Sequence, residues 1–431
     1  MSAGPLRVAL LGLSSSGYQS LALGYLRASA EADSRLAGRV GFQTLDLTVD
    51  LDPWWVAFRV VDMRPDVLGI SVTCWNARKV YELCDIVRGA MPEITIVLGG
   101  PEVGPIAERV LELNPAVDII VRGEGEETFS DLLDTLSRGG KPWRVEGVTA
   151  RREGSISSAP DRSIIGTLDA IASPYLSGVC QPLEGSAYIE TYRGCPHKCG
   201  YCFEGKGYGR VRCFSDERVE AEVAAIVASG VRTFSFIDPV FNLTRERLGW
   251  LAGLMEPYAR EGVRLHTIEV DIERIGAEEA ALLKMAGVMS VETGPQTVGS
   301  AALAICRRSF DRDRFAAGVG ALRAEGISVE CDFIVGLPGD TLQDFLDGLR
   351  FALTLDPGKI QISTLHVLPG TDLWERADEF GLVFREEPPH EVVCTAQMSF
   401  TDLRRAEVLG SSVVAQYSAR TGPPVAGAVA S

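Results

Sequence analysis

Short β-branched runs alternate with amphipathic helical stretches along most of this 431-residue chain, an order that admits few folds besides parallel α/β layers. Residues 7–13, 67–72, 94–98 and 117–121 are strand-like. Residues 18–31 and 77–91 carry apolar side chains at helical spacing, among them Val80, Leu83, Cys84 and Val87. A doubly wound, Rossmann-like domain is expected over residues 1–141. Three of its loops directly follow strands: Thr73-Cys74-Trp75-Asn76, Gly99-Gly100-Pro101-Glu102 and Arg122-Gly123-Glu124-Gly125-Glu126. In such sheets ligands bind at those carboxyl ends.

Residues 142–181 mix Gly, Ser, Pro and charge without sustained periodicity and read as a linker with a little β structure. Beyond it, strand-like runs recur at 187–192, 232–237, 264–270, 289–293, 328–335 and 360–367, each separated by a helical stretch. Six β/α units over 182–370 predict a partial (β/α) barrel with its active site at the strand carboxyl ends. Ser215 should cap the helix over 215–229, with Val219, Val223, Ile226 and Val227 on one face and Gly230 as its stop. Residues 371–431 should form a short helical extension, frayed from 421 onward. Two domains suit the length, which exceeds what one core usually serves.

A net charge of −16 argues against nucleic-acid backbone or an anionic membrane as partner and favours a small molecule. The apolar start is too short to span a bilayer and lacks the character of a signal peptide, so a cytoplasmic location is expected. Ten cysteines in this length are too dilute for a disulfide scaffold. Their spacing is more informative.

After the strand ending at Tyr192 comes Arg193-Gly194-Cys195-Pro196-His197-Lys198-Cys199-Gly200-Tyr201-Cys202, a CxxxCxxC loop. A 4Fe-4S cube normally takes four protein thiolates, so Cys195, Cys199 and Cys202 would leave one iron open to another ligand. Gly194 and Gly200 permit tight turns, and Lys198 adds positive charge near the sulfurs. A structural zinc site is the alternative, with His197 or Cys213 as fourth ligand. Unligated burial is another. Cys74, Cys84, Cys180, Cys306, Cys331 and Cys394 lie in apolar stretches and read as core.

The strand, CxxxCxxC loop and following helix, with aromatic Tyr201 just before the last cysteine, resemble the radical S-adenosylmethionine (SAM) superfamily. That resemblance implies a 4Fe-4S cluster on Cys195, Cys199 and Cys202 whose open iron chelates SAM, an electron donor such as flavodoxin or ferredoxin, and cleavage of SAM to a 5′-deoxyadenosyl radical. It extends over later segments. Phe236-Ile237-Asp238-Pro239 would place Asp238 at the SAM amino group. Val291-Glu292-Thr293-Gly294-Pro295-Gln296 resembles a segment in which Glu292 or Gln296 binds the ribose hydroxyls. Residues 332–341, with Ile334 and Gly336, look like the segment that packs on adenine.

Residues 12–28, 71–76, 97–103 and 123–128 resemble the cobalamin-binding domain of cobalamin-type members of the same superfamily. Gly99, Gly100 and Gly123 would let the corrin approach. All four histidines, His197, His266, His366 and His390, lie outside this domain, so the usual DxHxxG motif is missing. Any corrin would be held without a lower histidine, with Trp75 and Asn76 nearest its lower face. The resemblance then implies cobalamin-dependent C-methylation of a small polar metabolite. Radical dehydration of an aminosugar antibiotic precursor without cobalamin is the alternative, favoured by the short tail after Leu368. An iron-sulfur protein that transfers electrons or senses redox state would not need Glu292, Gln296 or the Gly336 segment.

Overall fold

The computed structural model describes residues 4–185, 187–207 and 209–421. From 422 onward the expected frayed tail lies outside the described residues. The chain divides into a unit ending at Gln181, joined by Glu387–Pro389, and a second unit comprising Pro182–Glu386 and the chain from His390.

In the first unit, strands β1 (Leu6–Ser14), β2 (Val40–Thr48), β3 (Val67–Ser71), β4 (Thr95–Gly99) and β5 (Ile119–Val121) are parallel, and β6 (Val148–Arg152) and β7 (Ser155–Ser158) extend the sheet antiparallel. The order β2-β1-β3-β4-β5-β6-β7 reverses direction between β1 and β3, the switch point at which doubly wound sheets bind ligands. Helices α1 (Leu21–Ala32), α2 (Pro53–Met63), α3 (Ala77–Ala90), α4 (Ala107–Leu113) and α5 (Gly125–Ser137) connect the strands. Val80, Leu83, Cys84 and Val87 of α3 are fully buried against the sheet, as their spacing predicts. Asp52 caps α2 by accepting from the backbone N–H of Trp54 and Trp55 at 3.0 and 3.1 Å.

One element here departs from the sequence reading. Strand β2 was not anticipated, because it is an edge strand on which partly buried Val40, Phe42, Leu45 and Leu47 are interspersed with exposed residues and form no apolar run. The little β structure expected within the linker is the β6–β7 hairpin over residues 148–158, turned by Glu153 and Gly154 at φ 46° and 85°.

The second unit has six parallel strands in sequential order: β8 (Tyr188–Ile189), β11 (Thr233–Phe236), β12 (Arg264–Glu269), β13 (Val288–Gln296), β14 (Ser328–Val335) and β15 (Lys359–Thr364). This is the six-unit partial barrel. Between β8 and β11 a short antiparallel pair, β9 (Tyr192–Arg193) and β10 (Arg212–Cys213), brackets the cysteine loop. The helices are α6 (Glu204–Gly207), α7 (Asp216–Ala228), α8 (Arg245–Arg260), α9 (Ala277–Met285), α10 (Ser300–Ile305), α11 (Arg312–Ala324) and α12 (Leu342–Leu355). Ser215 caps α7 by accepting from Arg218 N at 3.2 Å, and Gly230 follows at φ 97°. After β15 come α13 (Asp372–Glu375), the pair β16 (Val383–Phe384) and β17 (Val392–Cys394), and α14 (Phe400–Thr421).

Strand β14 shows how the barrel sorts its residues. Val329, Cys331, Phe333 and Val335 are buried, while Ser328, Glu330, Asp332 and Ile334 alternate with them on a half-exposed face. A period of two puts the second set on one side of the sheet.

Candidate active site

The loop from Gly194 to Cys202 is anchored at several points. Gly194 has φ 90°, a conformation other residues rarely adopt. Cys202 N donates to Cys199 O at 3.1 Å, closing a tight turn between two of the cysteines. Gly200 N donates to Cys306 O at 2.9 Å, and its own carbonyl accepts from Leu373 N at 3.1 Å. Cys199 is buried, and Cys195 and Cys202 are half-buried.

All three cysteines line one cavity of about 720 Å³, together with Tyr201, Glu292 and Gln296. Burial pushes the Cys195 thiol up to about 11 and the Cys202 thiol up to about 12. Among the described residues no three His, Cys, Asp or Glu side chains are gathered as a single metal ion would need. A four-iron cube spreads its thiolates more widely than one ion does, and a cavity this large has room for it. Soft sulfur donors suit iron-sulfur chemistry. Of the two candidate fourth ligands for zinc, Cys213 is exposed on β10 outside the cavity lining, and His197 faces Asp271 at 3.6 Å.

The sequence reading missed Arg308. From the segment after α10, its Nη1 reaches Cys199 Sγ at 3.6 Å and the Tyr201 hydroxyl at 3.3 Å, while Nη2 donates to Gly294 O. Burial opposes its charge, but Tyr201 and Cys199 outweigh burial and the guanidinium stays protonated. Nothing local in Cys306-Arg307-Arg308-Ser309 signals this role, which depends on the fold returning the segment to the cysteine loop.

Glu292 lies in the middle of β13 and Gln296 at its end, where Gln296 takes a left-handed backbone at φ 64°. Glu269 of β12 and Asp332 of β14 line the same cavity. Burial and then the Glu292 charge push Glu269 up to about 8 and Asp332 up to about 9; burial also raises Glu292, which hydrogen-bonds Asp332.

Asp238 departs from its expected contact, and Gly336 and Ile334 stand outside the cavity lining. Asp238 is 1% exposed and outside the cavity lining. Its Oδ1 accepts from Thr191 N at 2.8 Å and its Oδ2 from the Thr191 hydroxyl, so the carboxyl ties the ends of β8 and β11 and is not offered to an amino group. Gly336, at φ 92°, is needed for its backbone and because a side chain would come within 2.8 Å of Val392 Cγ1; that crowding comes from β17, not from a ligand space. Ile334 shares the face of Asp332 but is not among the cavity-lining residues.

In the first unit Trp75, Asn76, Gly99, Gly100 and Gly123 fall at the ends of β3, β4 and β5. Trp75 is 63% exposed. Asn76 is buried and spent on the fold: its amide donates to Leu13 O and Ser71 O at 3.0 and 3.2 Å, and its Oδ1 accepts from Thr73 N at 2.9 Å. Its polar atoms are therefore taken up by the loop itself. Gly100, at φ 118°, turns against Val72, whose carbonyl a Cβ would meet at 2.4 Å. A side chain at Gly123 would meet nothing within 4 Å, and one at Gly99 only ordinary contacts with Val121. Those two glycines leave the strand ends open.

The family model of the radical SAM superfamily matches residues 189–352, and that of the B12 binding domain matches residues 33–133. The chain is 27% identical over 321 residues to the uncharacterized methyltransferase PH0819 of Pyrococcus horikoshii, covering 73% of this chain and 69% of that protein. It is 28% identical over 403 residues to the cobalamin-dependent radical SAM methyltransferase TokK of Streptomyces tokunonensis, covering 87% of this chain but 58% of the relative. This chain thus spans between just over half and about two thirds of these relatives' lengths. Its fold matches that of the radical SAM methyltransferase TsrM from Kitasatospora setae, with a TM-score of 0.72 at 18% identity over 93% of this chain and 89% of that one. Among the described residues, no helix is long and apolar enough to cross a membrane.

Proposed function

Since the chain belongs to the radical SAM superfamily, in the form that carries a B12 binding domain ahead of the radical SAM domain, we propose that it is a cobalamin-dependent radical SAM enzyme that methylates carbon in a small polar substrate. One observation carries the reading: Cys195, Cys199, Cys202, Tyr201, Glu292 and Gln296, separated by up to a hundred residues, line a single cavity.

Cys195, Cys199 and Cys202 would hold the cluster, and the face at the ends of β3, β4 and β5, open at Gly99 and Gly123 with Trp75 exposed beside it, would hold the corrin. When bound, the reduced cluster supplies the electron that splits SAM, and cobalamin supplies a carrier for the methyl group. The chain's own groups bind and orient. Arg308 holds positive charge against Cys199 and Tyr201, where it can meet an anionic group of SAM. Glu292 and Gln296 offer hydrogen-bond acceptors suited to a ribose diol, with Gln296 held in position by its strained backbone. The wall around Cys199 keeps bulk water from one sulfur. Electrons come from an external one-electron donor.

The test is anaerobic reconstitution with iron, sulfide and hydroxocobalamin, followed by gel filtration and incubation with SAM and a reductant. About one corrin retained per chain, with S-adenosylhomocysteine formed alongside 5′-deoxyadenosine, supports methylation. Formation of 5′-deoxyadenosine with no retained corrin and no S-adenosylhomocysteine overturns it in favour of radical dehydration.

A further inference from the structure

We propose that Tyr192 is a positioning residue of this site: its hydroxyl fastens the strand that leads into the cysteine loop to the cavity wall at Val240, and so fixes the seat that SAM takes against both. This rests on the reading of the cavity as a radical SAM centre and adds a residue that acts through its neighbours.

Tyr192 stands three residues before Cys195 and is fully buried at the edge of the cavity. Its hydroxyl accepts from Val240 N and donates to Val240 O, both at 2.8 Å. Val240 is buried and belongs to no strand, so its main-chain groups take from a side chain the bonds that a sheet would otherwise give. Thr191, next to Tyr192, is tied in the same direction to Asp238. Two adjacent residues ahead of the cysteine loop are thus bonded to two residues just beyond β11. Arg247 holds the ring in place: its guanidinium lies 6.0 Å from the ring centroid, and its Nη2 donates to Thr191 O at 3.3 Å.

The ties continue around the rim. Phe241 N donates to Glu269 O at 2.8 Å, and the Asn242 side chain exchanges two hydrogen bonds of 2.9 Å with the main chain of Asp271. Val240, Glu269 and Asp271 all line the cavity. Tyr192 is the point at which this row reaches the cysteine loop. A cofactor that must meet the loop on one side and cavity side chains on the other binds only as well as the two are held in register, and a misplacement of about 1 Å spoils such a fit. Phe would fill the same space and leave the N–H and C=O of Val240 without their partner. Tyr417 offers the comparison: its hydroxyl bonds Asp356 Oδ1 at 3.0 Å and Pro357 O at 2.5 Å in the same unit, outside the cavity lining.

Tyr192→Phe and Tyr417→Phe are compared with wild type after anaerobic cluster loading. Iron and sulfide content, melting temperature, equilibrium dialysis of SAM, and electron paramagnetic resonance of the reduced cluster with and without SAM are measured on each. The proposal expects Tyr192→Phe to keep the iron and sulfide of the wild type while its SAM dissociation constant rises at least several-fold and the change in the cluster signal on adding SAM is reduced. Tyr417→Phe keeps both at wild-type values. Asp238→Asn, which weakens the adjacent tie, is expected to behave as Tyr192→Phe does, and decides alone if that variant does not fold. Wild-type SAM affinity and signal change in Tyr192→Phe overturn the proposal. An equal loss of affinity in Tyr417→Phe also overturns it, since that marks a general softening of the fold. Loss of iron from Tyr192→Phe does the same, because the hydroxyl would then support the loop alone. Iron-replete wild-type protein that binds no SAM counts against the functional reading on which the proposal stands.

Discussion

Arg308 Nη1 lies 3.6 Å from Cys199 Sγ, which places a protonated guanidinium against one of the three sulfurs proposed to carry the cluster. Because Arg308 is not itself a ligand, Arg308→Gln should keep the iron and sulfide content of the wild type. A cation beside the cluster favours the reduced form, so the substitution should lower the midpoint potential by on the order of tens of millivolts, with Arg308→Lys intermediate. A redox titration followed by electron paramagnetic resonance checks this. Loss of iron in Arg308→Gln would instead make Arg308 part of the scaffold of the loop.

Substituting Cys195, Cys199 or Cys202 by Ala should each abolish cluster binding, since a cube left with only two protein thiolates is not retained. Cys213→Ala should bind iron normally, because Cys213 is exposed on β10 and does not line the cavity. Iron and sulfide analysis after anaerobic reconstitution distinguishes them.

Trp75 and Asn76 are neighbours in sequence with opposite fates. Asn76→Ala leaves the carbonyls of Leu13 and Ser71 and the N–H of Thr73 without their partner, and should destabilise the first unit by about 1–3 kcal/mol. Trp75→Ala removes an exposed ring and should leave thermal stability nearly unchanged while weakening corrin uptake. Calorimetry and hydroxocobalamin titration of both variants check the pair.

Stability should depend on pH through Glu269, whose carboxyl burial pushes up to about 8 in the folded chain. Unfolded, the same group titrates near pH ~4. Between those values the folded state holds a proton that the unfolded state has released, so stability falls as pH rises across that window. Glu269→Gln removes the effect. Because the side chain is also exposed on one side, solvent screens the effect, and its melting temperature should exceed that of the wild type by about a degree at about pH 8 and by less at about pH 5. Equal differences at both pH values would contradict the assignment.

The sequence carried those parts of the fold that are local. Alternating runs located the six barrel strands and the helices between them, and Ser215 and Gly230 marked the ends of α7 because capping needs only adjacent residues. Edge strand β2 was missed, since its partly buried apolar residues are interspersed with exposed ones and make no apolar run. The cysteine loop was legible because its spacing is chemical. Asp238 was misread for the opposite reason: a carboxylate at a strand end looks the same whether it faces a ligand or, as here, Thr191. Arg308 and the register of Glu269 with Glu292 arise only when distant segments meet.

The central claim is that the cavity bearing Cys195, Cys199 and Cys202 cleaves SAM reductively. The direct measurement is the yield of 5′-deoxyadenosine and methionine from reconstituted enzyme with SAM and reductant, wild type beside Cys199→Ala. Equimolar products from the wild type and none from Cys199→Ala are expected. Iron-replete wild-type protein that forms no 5′-deoxyadenosine, or a Cys199→Ala variant that forms it at an undiminished rate, would contradict the claim.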